Sequence, residues 1–393
     1  MAELSEAALP QIDRMQRQAL TVGIAALVLS VIGAFFSPAQ FFQSYLLAYA
    51  FWIGIALGSM VIVFIHYLSG GGWGAVIRRF LESSTRTFLL MAVLFIPIVF
   101  GMHSLYEWTH ADVVAADPVL KHKSLYLNIP FFIGRAVLYF AIWIGLSIWL
   151  NKWSKREDDA GSPVISERLA FIGGIGLLLY GLTMSFASVD WLMSLEPHWF
   201  STMYGLMVIA GQVLSAFAFV IAVAAILVQY RPFSEVISPA HFKDLGNFVL
   251  AFVMIWAYLS FSQFLIIWAG NLPEETPWYI HRLNKGWQYT AILLVVFHFA
   301  LPFLILLSRN LKRNPKLLVI VALGILVMRL VDLYWLVAPE FHPNGLHLHY
   351  LDFLLPIGLG GIWVALFLWQ LKKRPLLAFN DPNLPEAHAH EHA

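Results

Sequence analysis

The strongest constraint in this chain is its series of long, almost uninterrupted apolar runs. A helix needs about 20 mostly apolar residues to cross a bilayer. Ten segments meet that need: 19–36, 44–68, 86–107, 127–151, 168–190, 204–230, 243–269, 287–308, 315–337 and 349–371. The runs do not alternate polar with apolar, so they predict helices and not barrel strands. Residues 1–18 are polar and mixed in charge, and no small-residue cleavage site follows the first run. The first run is therefore read as a retained helix and not a signal peptide. Of the 393 residues, 60% are hydrophobic and only 12% are charged. A soluble surface needs about twice that share of charge. The expected fold is an all-α integral membrane protein.

Lys and Arg set the orientation. If the spans alternate, one side receives Arg14, Arg17, Arg78, Arg79, Arg86, Lys152, Lys155, Arg156, Arg168, Arg231, Lys243, Arg309, Lys312, Arg313, Lys316, Lys372, Lys373 and Arg374. The other receives only Lys121, Lys123, Arg282 and Lys285. This bias predicts that both termini are cytoplasmic. Trp108, Trp153, Trp191, Trp199, Trp268, Trp278 and Trp287 fall near span ends, where an interfacial belt is expected. A net charge of +1 gives no pull toward nucleic acid. The absence of cysteine excludes disulfides, cysteine-bound iron–sulfur clusters and covalently attached c-type haem on this chain. The run Gly70-Gly71-Gly72-Trp73-Gly74 lacks the Lys-Ser/Thr of a phosphate loop and reads as a flexible turn. Residues 372–393 are expected to form a polar, mobile tail, and its His388, His390 and His392 are read as solvated.

An internal echo divides the chain. Val189-Asp190 is followed by Glu196, Pro197 and His198; Val331-Asp332 is followed by Pro339, Glu340 and His342. Each Asp precedes its Pro by seven residues, at span exits that lie four helices apart. The offset predicts two parallel four-helix bundles, over 44–190 and 204–337, with one extra helix at each end.

An ionisable side chain inside a bilayer costs roughly 2.5–3.5 kcal/mol or more unless it is paired or reaches water. His103 and Glu107 on the third span, Arg135, Asp190, Arg329 with Asp332, and His349 with Asp352 all fall in the half away from the cytoplasm. Arg135 has two available counter-ions, Asp190 and Glu107. Taken singly, such pairs are structural ties. Taken together, with Glu196 and His198 at the exit, they suit a proton path or a polar pocket, because imidazole titrates near neutral pH and a desolvated carboxylate can approach it. A bis-histidine haem would need paired imidazoles on facing helices; only His103 and His349 share a depth, so no haem is expected on this chain.

Three segments also carry a family resemblance. Residues 185–202 read Ser-Phe-Ala-Ser-Val-Asp-Trp-Leu-Met-Ser-Leu-Glu-Pro-His-Trp-Phe-Ser-Thr, 272–279 read Leu-Pro-Glu-Glu-Thr-Pro-Trp-Tyr, and 329–335 read Arg-Leu-Val-Asp-Leu-Tyr-Trp. The chain resembles the ten-helix second quinone-binding subunits of alternative complex III, a bacterial quinol:cytochrome c oxidoreductase. These belong to the wider NrfD or polysulfide-reductase membrane family. The resemblance implies two four-helix bundles in the bacterial cytoplasmic membrane, contact with menaquinol or ubiquinol, and no catalysis by this chain alone. It implies as partner the other large membrane subunit of the complex, a relative of this chain, together with iron–sulfur and multihaem c-type cytochrome subunits that hold the redox centres. A proton path is one role implied, a structural scaffold another. A secondary transporter is the reading from a different class. Its sign would be matched helix breaks in both halves, and Pro97, Pro302 and Pro356 do not correspond under the four-helix offset.

Overall fold

The computed structural model describes residues 8–160, 162–378 and 380–384. Among these there is no strand, and nine helices are long and apolar enough to cross a membrane. They are α1 (Leu9–Phe36), α2 (Pro38–Ser69), α5 (Ile129–Ala160), α6 (Pro163–Trp191), α7 (Tyr204–Leu227), α8 (Pro239–Gly270), α9 (Trp287–Leu306), α10 (Pro315–Phe341) and α11 (Leu351–Leu371). Between α2 and α5 lie α3 (Arg78–Thr85) and α4 (Phe88–Phe100), bent by 42° at their junction. The chain is a multi-pass, all-α membrane protein.

Local chemistry sets the helix starts. Pro38, Pro163, Pro239 and Pro315 open α2, α6, α8 and α10, where a missing N–H costs nothing. Ser238 and His241 form a reciprocal cap on α8. Asn271, at φ 47°, ends it in the left-handed region. Several helices outrun the apolar segments. α1 begins at Leu9, α5 continues to Ala160 and α10 runs through Pro339 to Phe341. Hydropathy reports the part of a helix that suits lipid, and polar turns extend it on either side.

The third span differs most from expectation. Hydropathy predicts one helix over 86–107, but the helix ends at Phe100 and Tyr106 is extended. The α3–α4 bend falls where Thr85 Oγ1 donates to the Glu82 carbonyl and Thr87 Oγ1 to the Ser84 carbonyl, side-chain bonds that compete with the helix ladder. Within α9, residues Leu294–Ala300 widen into a π-helical turn. Pro302 explains it, since Pro offers no N–H to the carbonyl four residues back and its ring crowds that carbonyl.

The central helix is α2, which packs on α1, α3, α4, α6, α7, α10 and α11. α2, α4, α5 and α6 each contact the next, and α6 returns to α2; α7, α8, α9 and α10 do the same. α1 lies along α11. The apolar windows of α2 and α7 are each 89% buried, against 22% for α1, so these two helices form the seam. Gly58 allows the seam to close, because a Cβ there would stand 2.2 Å from the Gln212 carbonyl oxygen.

The C-terminal segment up to Leu384 is not a solvated tail. Leu376, Leu377, Ala378, Asp381 and Leu384 are buried. Asn383 Oδ1 accepts the Gly71 N–H at 3.0 Å, so the glycine turn is pinned by the segment that covers it. The charges around these apolar residues obscure them in the sequence. His388, His390 and His392 lie outside the described residues.

Candidate functional site

At the Lys/Arg-poor end, the exit of α6 is organised around Asp190. Its carboxylate is fully buried and accepts two hydrogen bonds from Arg135 of α5, each 2.8 Å, and a third from Tyr139 at 2.8 Å. The fork-on-carboxylate arrangement is the strong form of this pairing. Arg135 also donates to the Tyr126 carbonyl at 3.0 Å, and its guanidinium lies 3.8 Å from the centre of the Tyr126 ring. Of its two available counter-ions, Arg135 takes Asp190. Glu107 is exposed in a 3-10 turn. His103 is exposed as well, bonded to Thr109 and His110, and does not share a helix with Glu107. The break after Phe100 separates them.

The second buried pair is Arg329 with Asp332, one turn apart on α10. Arg329 is the fifteenth of 27 residues, midway along the helix and deeper than the 315–337 span implies. Gly211 of α7 makes room for the guanidinium, since a Cβ there would stand 2.2 Å from its central carbon. Trp256 of α8 donates to Asp332 at 3.2 Å. The Trp256 ring meets His298 edge to face at 4.4 Å. His298 is fully buried in the π-helical turn, and neither ring nitrogen has a hydrogen-bond partner among the described residues. Arg329 also lines a cavity of about 10 Å³, room for one water, with Tyr49, Ser188, Trp191 and Gln212. That cavity lies between Arg329 and the last turn of α6.

The remaining exit residues go to separate partners. Glu196 pairs with Arg282, which donates to the Trp335 carbonyl at 3.1 Å and the Leu336 carbonyl at 2.9 Å. This joins the α6 exit to α10. His198 meets Asp117 at 2.6 Å on an exposed loop, and the hydrogen bond from His198 lowers the Asp117 carboxyl below its usual range. Asp352 of α11 accepts from Ser44 at 2.5 Å, Gln40 at 3.2 Å and the His349 N–H at 2.9 Å. His342 bonds Gln40 at 3.2 Å and lies 4.6 Å, ring to ring, from His347. The sequence candidates therefore separate into Arg135–Asp190, Arg329–Asp332 with His298, Glu196–Arg282, His198–Asp117, and the Asp352 and His349 group, while His103 and Glu107 are exposed.

The largest polar cluster is one that the sequence does not announce. At the Lys/Arg-rich end, Arg78 bonds Glu82 at 2.9 Å and Asp381 at 2.9 Å, and also pairs with Glu157. Arg79 pairs with Glu82 at 2.6 Å and with Asp158. Ser154 donates to Glu82 at 2.6 Å, Tyr67 donates to it at 3.0 Å, and His66 reaches Asp381 at 3.2 Å. Arg78 and Glu82 are fully buried. Their spacing of four is the available signal, but an eight-residue polar helix reads as a connection. Arg282, one of the few cations on its side, likewise reads as loop charge.

Comparison with protein-family models and with curated proteins finds no match for the chain.

Proposed function

We propose that this chain is a membrane subunit of a respiratory quinol:electron-acceptor oxidoreductase, of the alternative complex III kind, and that it handles protons at its outer face. In this reading ten spans, the bent α3–α4 pair included, cross the bacterial cytoplasmic membrane with both termini inside. Two four-helix bundles, α2–α6 and α7–α10, are related by repetition, and α1 and α11 are added. The observation that carries the reading is the matched pair of aspartates. Asp190 and Asp332 hold equivalent places in the sequence echo, and each is buried against an arginine. His298, which meets the Trp256 ring and has no hydrogen-bond partner among the described residues, extends the second pair toward α9. Menaquinol or ubiquinol would be the substrate of the complex. Iron–sulfur clusters and c-type haems would sit in partner subunits, beside a second, related membrane protein.

The test uses the whole complex. Asp190→Asn and Asp332→Asn should each slow quinol turnover and proton release while the complex still assembles. Normal turnover and proton release in both variants would refute the reading. A second reading, a scaffold, is favoured by the Glu196–Arg282 tie between α6 and α10. It predicts loss of assembly in those variants with full activity in whatever complex remains. Purification in mild detergent with an optical spectrum tests the setting, since co-purifying c-type haem is expected and a colourless monomer would count against both readings.

A further inference from the structure

We propose that the groove between the α3–α4 junction, α5 and the end of α11 binds an anionic phospholipid. The groove has a volume of about 690 Å³ and two chemistries. Its floor is apolar, formed by Phe88, Leu89, Ile144 and Ile148, with Leu89 69% and Ile148 64% exposed. Its rim is basic, formed by Arg86, Lys152, Lys155, Arg156 and Arg374, with Asp159 the one acid lining it.

These two regions follow one another along a single helix face. Ile144, Ile148, Lys152 and Arg156 of α5 recur every four residues, so they form one stripe. From Ile144 to Lys152 the stripe rises about 12 Å and passes from apolar to cationic. An acyl chain below a phosphate presents that order. A soluble anion would not need the floor, and an apolar ligand would not need the rim.

The rim is left with unmatched positive charge. Glu82 already bonds Arg78 and Arg79, so Arg374 at 3.6 Å and Arg86 at 4.0 Å share a carboxylate that is committed elsewhere. Arg86 is held by Asn151 at 2.8 Å and the Gln370 carbonyl at 3.2 Å, yet its Nη2 is buried with no hydrogen-bond partner among the described residues. Lys152, Lys155 and Arg156 have no ion pair among the described residues. Arg374 is held by the Asn151 carbonyl at 2.6 Å and Ser154 Oγ at 3.2 Å. A lipid phosphate would therefore supply the acceptor that Arg86 Nη2 lacks and the counter-charge for Lys152, Lys155 and Arg156. Basic pockets between spans are suited to such headgroups.

The experiment is native mass spectrometry of the full chain in mild detergent. Equal amounts of cardiolipin, phosphatidylglycerol and phosphatidylcholine are added, with inorganic phosphate as competitor. The two anionic lipids should be retained about tenfold or more over phosphatidylcholine, and millimolar phosphate should not displace them. The triple variant Lys152→Gln/Lys155→Gln/Arg156→Gln alters exposed positions outside the buried network. It should lower anionic-lipid retention about tenfold or more, given roughly 1 kcal/mol per basic residue near an anionic surface, with unchanged thermal unfolding in the absence of lipid. Ile148→Trp, which fills the floor, should lower retention while leaving phosphate competition absent. Equal retention of phosphatidylcholine, an unchanged triple variant, or full displacement by phosphate would each overturn the proposal.

Discussion

Asp381→Asn tests the buried charge cluster most directly. Asp381 is 3% exposed, and its carboxylate takes hydrogen bonds from Arg78 at 2.9 Å and His66 at 3.2 Å. Burial alone would raise its pKa, but the His66 bond and the Arg78 charge outweigh burial and hold it well below the usual range. Asparagine keeps the shape and can still accept the Asn383 N–H, now 2.9 Å from Oδ1. It removes the charge opposite Arg78. Breaking one side of a buried pair costs about 3–5 kcal/mol. Arg78 retains Glu82 and Glu157, so the lower figure applies. The loss should appear first as opening of the covering segment, because Asp381 is its main charged anchor. About 3 kcal/mol raises an opening equilibrium roughly 100-fold. Hydrogen exchange reads this at the Asp381 amide, bonded to the Ala378 carbonyl, and the Leu384 amide, bonded to the Asp381 carbonyl. Unchanged exchange at both, with an unchanged unfolding temperature, would refute the energetic reasoning. Acid should mimic the variant. Because the folded pKa is depressed, the stabilisation is full above the unfolded value near 3.9 and fades as pH falls toward the folded one. Protection of these amides should therefore be insensitive to Asp381 between about pH 5 and pH 8, and weaken only in stronger acid.

Other consequences can be checked separately. Gly58→Ala should destabilise the α2–α7 seam by about 1–3 kcal/mol, seen as a lower unfolding temperature in detergent, since its Cβ would overlap the Gln212 carbonyl. Pro302→Ala restores an N–H opposite the His298 carbonyl and should convert the π-helical turn to regular helix, read as new amide protection near residue 302. His198→Gln should leave unfolding nearly unchanged, because its pair with Asp117 is exposed to solvent, while the Asp117 carboxyl should titrate closer to its ordinary value by NMR.

The membrane class was legible because lipid demands runs that no other solvent does, and nine of the runs stand as single helices among the described residues. The pairing of Arg329 with Asp332 follows from helical spacing, whereas His349 precedes the first turn of α11 and meets Asp352 through its backbone N–H rather than across a helix face. Arg135 and Asp190 lie on different helices, so spacing alone left Glu107 as an equal partner. His103 and Glu107 show where periodicity fails, since a four-residue spacing means one face only while the helix continues. The Arg78 cluster was illegible for another reason. Hydropathy treats a charged helix as exposed, and only the fold reveals that Glu157, Asp158 and Asp381 arrive from distant parts of the chain to neutralise it.

Asp381 follows Arg78 by 303 residues, and the bond between them therefore carries a schedule. A ribosome adding roughly 5–20 residues per second needs about 15–60 s to make that stretch. Once Trp191 has been added the first bundle can sit in the bilayer, and from then until Asp381 arrives Arg78 faces Glu82 and Glu157 alone. A nascent chain that stalls before Asp381 leaves this site uncapped, and its exposed glycine turn and basic pocket would distinguish it from the finished protein. The closing contact thus marks translation as having passed all ten apolar runs.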